Sequence, residues 1–150
     1  MMLEIENQKA LLTIAARMLG VERFGADAQA IGVRHPDEDR IRAVIVLNQF
    51  HNGTCHMSVV SDRTKDWAFP SMFERVARYV FEFLDQNRMV AVIATSHIAS
   101  QIAAIKGGFQ IEARLRNGAM DGGDAILFSM TRETCPWISS GGSDGERTQT

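Results

Sequence analysis

Few side chains in this chain of 150 residues stand where they could do chemistry, and they fall in three short stretches. The first is HNGTCH, residues 51–56, which sets His51, Cys55 and His56 close together. Such a group invites a metal ion. However, Asn52-Gly53 is a hairpin turn that accounts for His51, and strand alternation sends Cys55 and His56 to opposite faces, so no metal is expected. His56 keeps another use, since an imidazole on a strand can accept a proton near neutral pH. The second stretch, DRTKDWAF at 62–69, joins the cations Arg63 and Lys65 to the aromatic Trp67 and Phe69. The third, HIASQIAAIKGGFQIEARLR at 97–116, carries His97 and Ser100 and then Glu112, Arg114 and Arg116. Partial burial would raise the pKa of Glu112 and make it a general base, whereas exposure or an ion pair would leave it a plain strand residue. Alternation places Arg114 and Arg116 on the face of Glu112, which would suit an acidic substrate or a solvated face.

These residues need a scaffold, and the hydrophobic periodicity supplies one. Residues 4–19 have Leu11, Ile14, Ala15 and Met18 on one helical face, with Gly20 as the stop. Two strands follow, AQAIGV at 28–33 and RAVIVLNQF at 42–50, and the turn HPDED between them predicts an antiparallel pair. The Asn52-Gly53 turn then adds TCHMSVV at 54–60 as a third strand of a meander. Beyond a loop, Pro70 opens a helix over 70–87, with Met72, Phe73, Val76, Tyr79, Val80, Phe83 and Leu84 at helical spacing. MVAVIATS, 89–96, is an unbroken apolar run as in a strand buried on both faces, so it is predicted parallel to the strand at 56.

Ser96 is placed to cap the next helix, whose apolar face is Ile98, Ile102 and Ile105 and whose end is Gly107-Gly108. FQIEARLR at 109–116 and DAILFSMTRE at 124–133 are the last strands, joined by NGAMDGG. The predicted order is α-βββ-α-β-α-ββ, an α/β (α+β) fold with a mixed six-stranded sheet and helices on both faces, in one domain over 1–138. The Ser/Gly-rich segment 139–150 is expected to be a disordered tail.

Composition narrows the function classes. Hydrophobic residues make up 45% and charged residues 23%, enough apolar chain for a core without metals or disulfides. A net charge of -2 supplies no global field toward nucleic acid or anionic membrane. No apolar run approaches the roughly 18 residues of a membrane span, and Glu4 and Glu6 are the wrong charge for a leader. With two distant cysteines read as reduced thiols, the expected compartment is the cytoplasm.

The last third of the predicted domain resembles a known family. The ribosomal-protein N-terminal acetyltransferases, a branch of the GNAT superfamily of acyl-CoA N-acetyltransferases, read Asn-x-x-Ser, then Lys-x-Gly-Phe, then Glu-Gly-x-Leu-Arg. An Asp with an aromatic four residues on, and a closing Glu and Trp, complete the pattern. Ser100, Lys106, Gly108, Phe109, Glu112, Leu115, Arg116, Asp124, Glu133 and Trp137 fall in those places. His97 replaces the Asn, Ala113 the Gly, and Phe128 stands where Tyr is common. The predicted order of elements resembles the GNAT fold over nearly all of the chain.

The resemblance implies transfer of an acetyl group from acetyl-CoA to a primary amine, within one ternary complex. The amine could be on a protein N-terminus or lysine, a small molecule or a modified nucleotide. The strands at 56–61 and 89–95 would splay apart, with the pantetheine arm bonded to the main chain of Met57, Ser58, Val59 and Val60 and backbone N–H groups polarising the thioester carbonyl. Pyrophosphate would sit on the N-terminus of the helix at Pro70, beside Ser71. His97 and Ser100 would flank the arm, with Ser100 able to protonate the leaving thiolate, and Glu112 or His56 would take the proton of the amine.

Two places depart from the family. Its phosphate loop, Gln/Arg-x-x-Gly-x-Gly/Ala, falls on DWAFPS, so Asp66, Phe69 and Ser71 occupy the consensus positions and Ala68 lies between them. Arg63 and Lys65 would compensate the charge of Asp66, while Trp67 and Phe69 would stack on adenine or substrate unless they only pack over the loop. A tyrosine that serves many members as general acid is replaced by Ala104. The sequence permits a homodimer through the last strands, and a GNAT-like binding module without catalysis is the alternative function.

Overall fold

Asn52 and Gly53 both take positive φ, 53° and 76°, the geometry of a two-residue hairpin turn. In the computed structural model, which describes residues 2–61 and 70–138, this turn joins β3 (Ile41–His51) to β4 (Thr54–Ser61). The loop at 62–69 and the tail at 139–150 lie outside the described residues. The chain divides into two compact units, Met1–Phe69 and Pro70–Thr150.

The first unit pairs β1 (Met2–Glu4), β2 (Gln29–Arg34), β3 and β4 antiparallel in that order. The expected helix over 4–19 is therefore shorter. Met2–Glu4 forms a strand on β2, Leu3 facing Val33, and α1 covers Gln8–Leu19. Seven strands thus form among the described residues where six were expected. The Gln8 side chain fastens the start of α1 to β2. Its Nε2 donates to Ala30 O at 2.7 Å, and its Oε1 accepts from Ala30 N at 2.6 Å. Gly20 ends the helix with φ 80°, its N–H donating to Ala16 O.

Leu11 and Ala15 of α1 bury against Ala30, Val44, Val46 and Val60, with Ile14 and Met18 partly buried beside them. Each large aliphatic side chain so buried contributes about 1.5–3 kcal/mol. The helix lies close on the sheet because Gly32 has no side chain: a Cβ there would stand 2.7 Å from Leu11 Cδ2.

The second unit pairs β5 (Arg88–Ala94), β7 (Ala125–Thr131) and β6 (Gln110–Leu115) antiparallel in the order β5-β7-β6. The helix expected over 70–87 is α2 (Pro70–Arg78), followed by a π-helical turn, Tyr79–Phe83, in which Leu84 N donates to Tyr79 O. The wider turn shifts the phase of the side chains. Met72, Val76 and Val80 are buried as predicted, but Phe81 joins them and Phe83 turns outward, 72% exposed. Tyr79 is half-buried and stacks on Phe83 rather than entering the core.

α3 (Ile98–Lys106) departs further from expectation. Ile98, Ile102 and Ile105 are all at least half exposed, and the side it buries is small: Ala104 and Gly107. A Cβ on Gly107 would stand 2.6 Å from Phe73, so the missing side chain is what lets Phe73 approach. Ser96 does not cap α3. His97 occupies the N-cap position, and Ser96 Oγ donates to Asp121 Oδ2 at 3.0 Å. Among the described residues, no helix is long and apolar enough to cross a membrane.

Candidate functional site

In the first unit the candidate residues lie on β4, whose register on β3 sets their faces. His56 stands opposite Asn48, Ser58 opposite Val46 and Val60 opposite Val44. His56 and Ser58 therefore share the face on which α1 packs, while Met57 and Val59 share the other face with Cys55. Ser58 is exposed, Val60 is buried, and His56, Met57 and Val59 are half-buried. Cys55 is fully buried, and burial pushes its thiol up to about 12. His51, at the hairpin end, is exposed. Cys135 is buried too, with its pKa raised chiefly by burial, so neither thiol is placed as a nucleophile.

Arg63, Lys65, Trp67, Ala68 and Phe69 lie outside the described residues, as does Asp66. Ser71 is exposed in the first turn of α2, a turn with no acidic residue. The free N–H groups and positive dipole end of such a turn favour an anion.

In the second unit His97 and Ser100 meet. His97 Nδ1 and Ser100 Oγ are in hydrogen-bond contact at the head of α3, an exposed imidazole against a half-buried hydroxyl. Spacing on one helical turn (i, i+3) brings them together. The segment beside them carries Asp121, engaged by Ser96 Oγ and Gly123 N, and Asp124, engaged by Arg114 Nε and Asn117 N. Gln101 Nε2 ties α3 to the end of β5 through Ala94 O and Thr95 O.

Glu112 is not raised in pKa. It is 43% exposed, its carboxylate pairs with Arg88 Nη2 at 2.8 Å, and hydrogen bonds from Ser129 and then Arg88 hold it below the usual carboxylate range. Nor does it share a face with Arg114. A bulge between Ile111 and Ala113 breaks the alternation, so Glu112 turns to Arg88 and Ser129 while Arg114 pairs with Asp124 at 2.8 Å. Nothing local in the sequence marks Arg88, whose partner Glu112 lies on a strand 24 positions on.

Several residues of the family pattern have framework duties. Asp124 accepts from Arg114 Nε and Asn117 N, which holds the β6–β7 loop. Trp137 Nε1 donates to Gly107 O at 2.7 Å, and its ring stacks on Phe73 with centroids 6.2 Å apart. Phe128 is fully buried on β7 between Ala91 and Ile111.

No family model matches the chain, and no curated protein matches it in sequence. Solved structures do match in fold. A chimera of the spermidine N-acetyltransferase SpeG of Vibrio cholerae with hSSAT agrees with a TM-score of 0.72 at 12% identity, over 89% of this chain and 98% of that one. Mutant forms of the spermidine/spermine N-acetyltransferase SpeG from the same organism give 0.70 at 12% identity, over 88% and 95%. A proposed ribosomal-protein-serine acetyltransferase from Vibrio cholerae gives 0.60 at 19% identity, over 70% of this chain and 64% of that one. Similarity that spans both chains almost end to end is similarity of the whole fold, and the chain has the fold of the GNAT N-acetyltransferases.

Proposed function

We propose that the protein is an N-acetyltransferase that moves an acetyl group from acetyl-CoA to a primary amine. The observation that supports this reading most is the agreement in fold over 89% of the chain with a structure described as an N-acetyltransferase. Acetyl-CoA, when bound, supplies an acetyl thioester. The main chain of Met57–Val60 holds the pantetheine arm and donates toward the thioester carbonyl, where negative charge gathers as the amine attacks. The first turn of α2 at Ser71 receives the pyrophosphate, supported by the loop residues Arg63, Lys65, Trp67, Ala68 and Phe69.

The proton of the amine goes to His56. The amine attacks in its neutral form, and Glu112 is the poorer base because Ser129 and Arg88 hold its carboxylate low and ionised. As the C–N bond forms and the C–S bond breaks, the Ser100 hydroxyl delivers a proton to the departing sulfur and regains one from solvent through the exposed His97 imidazole it contacts. Protein N-termini, lysines, small amines and modified nucleotides all offer the attacking nitrogen, and the soluble cytoplasm is the compartment in which we place the reaction.

Thiol release from acetyl-CoA, followed over a panel of these amines, tests the reading. Ser100→Ala should lower kcat about tenfold, less than the hundredfold or more common for acid–base catalysis because CoA thiolate leaves readily. The affinity for acetyl-CoA should stay unchanged. No thiol release with any amine class would remove the proposal, and an unchanged kcat in the variant would remove Ser100 as the proton donor.

A further inference from the structure

The outer side of α1 carries a feature that none of the transfer steps proposed above draws on. Lys9 and Arg17 lie about two turns apart on the helix, and Arg23 joins them from the segment that follows. The three line an open groove of about 400 Å3. All three side chains are exposed, and among the described residues none has a carboxylate within ion-pair distance. Other arginines are matched: Arg34 with Glu4, Arg78 with Glu74 and Glu82, Arg132 with Asp85. Glu22 lies in the same groove and pairs with none of the three cations. Lys9 is also misplaced for the helix, since the first turn of α1 has no acid and the dipole disfavours a cation there. Leu12 and Phe24, both half-buried, form apolar wall between the charges.

We propose that this groove docks an acidic polypeptide segment. With a rise of 1.5 Å per residue, Lys9 and Arg17 stand about 12 Å apart along the axis. An extended peptide crosses that distance in about four residues. The complementary segment therefore has carboxylates about four positions apart and an apolar side chain between them to rest on Leu12 and Phe24. Nucleic acid fits less well, because the chain carries a net charge of -2 and Glu22 stands among the three cations. The groove lies wholly within the first unit, and this docking holds whether or not the protein transfers acetyl groups.

The test uses the full chain and a short blocked, fluorescently labelled peptide with paired acidic residues at each end and a central leucine, followed by anisotropy at low salt. The expected result is binding that weakens as salt rises. It should fall about tenfold or more in the combined variant Lys9→Glu, Arg17→Glu, Arg23→Glu, and tighten about twofold in Glu22→Gln. All four positions are exposed, so circular dichroism should show both variants folded. Equal affinity of the wild type and the folded triple variant would overturn the proposal. So would an affinity for Glu22→Gln no tighter than wild type, or an oligothymidylate of matching length that binds as tightly as the peptide.

Discussion

Replacing Ser71 by glutamate is expected to weaken acetyl-CoA binding by about a hundredfold or more while leaving the thermal midpoint unchanged or slightly raised. Ser71 is exposed in the first turn of α2, and that turn has no acidic residue of its own. A carboxylate about 5 Å from a phosphate repels it by roughly 3 kcal/mol at an effective dielectric constant of 20, and salt screening takes part of this away. What remains is about the 2.7 kcal/mol that a hundredfold loss requires. The same carboxylate complements the helix dipole and stabilises α2 by about 0.3–1 kcal/mol. Affinity and stability therefore move in opposite directions, which a merely damaged protein would not show. Calorimetric titration alongside thermal unfolding reads both, with Ser71→Gln as the uncharged control. Unchanged affinity in Ser71→Glu would mean that the phosphate is not held at this helix.

The second large effect is on stability. Phe128→Ala should cost about 3–5 kcal/mol, read as a lowered urea midpoint. Phe128 is fully buried in β7, the central strand of its unit, facing Ala91 on one side and Ile111 on the other. Its removal takes away the transfer free energy of the ring and leaves a cavity that two paired strands cannot collapse to fill. That is a large share of the roughly 5–15 kcal/mol by which domains are stable. A loss below about 1 kcal/mol would mean that the strand repacks and that the second unit is not built around this ring.

The Asn52-Gly53 turn and the Gly20 stop are local signals, and the structure follows both of them. β1 was missed because its three residues are a strand only through pairing with Arg34, Val33 and Gly32, about 30 positions away. The π-helical turn is a local excess of one residue per turn, which a fixed helical period cannot register, and so Phe83 was placed inside when it points out. Periodicity found the isoleucine stripe of α3 correctly as a stripe but could not tell which side the protein covers. The covered side is Ala104 and Gly107, and the missing side chain of Gly107 is what lets Phe73 approach.

The candidate site divides the same way. The His97–Ser100 contact follows from their spacing on one turn. The low pKa of Glu112 does not, because it depends on a bulge in β6 and on Arg88 and Ser129 from two other strands. Likewise Lys9, Arg17 and Arg23 lie apart in the sequence, and only the path of the chain after α1 gathers them into one groove.

Calorimetric titration of the full chain with acetyl-CoA, with desulfo-CoA and ATP as controls, tests the central claim most directly. Micromolar binding of acetyl-CoA and none of ATP is the expected result, since a pantetheine arm held on Met57–Val60 would supply affinity that phosphate and adenine alone do not. No binding of acetyl-CoA up to millimolar concentration would contradict it and leave the protein a GNAT fold without the GNAT co-substrate.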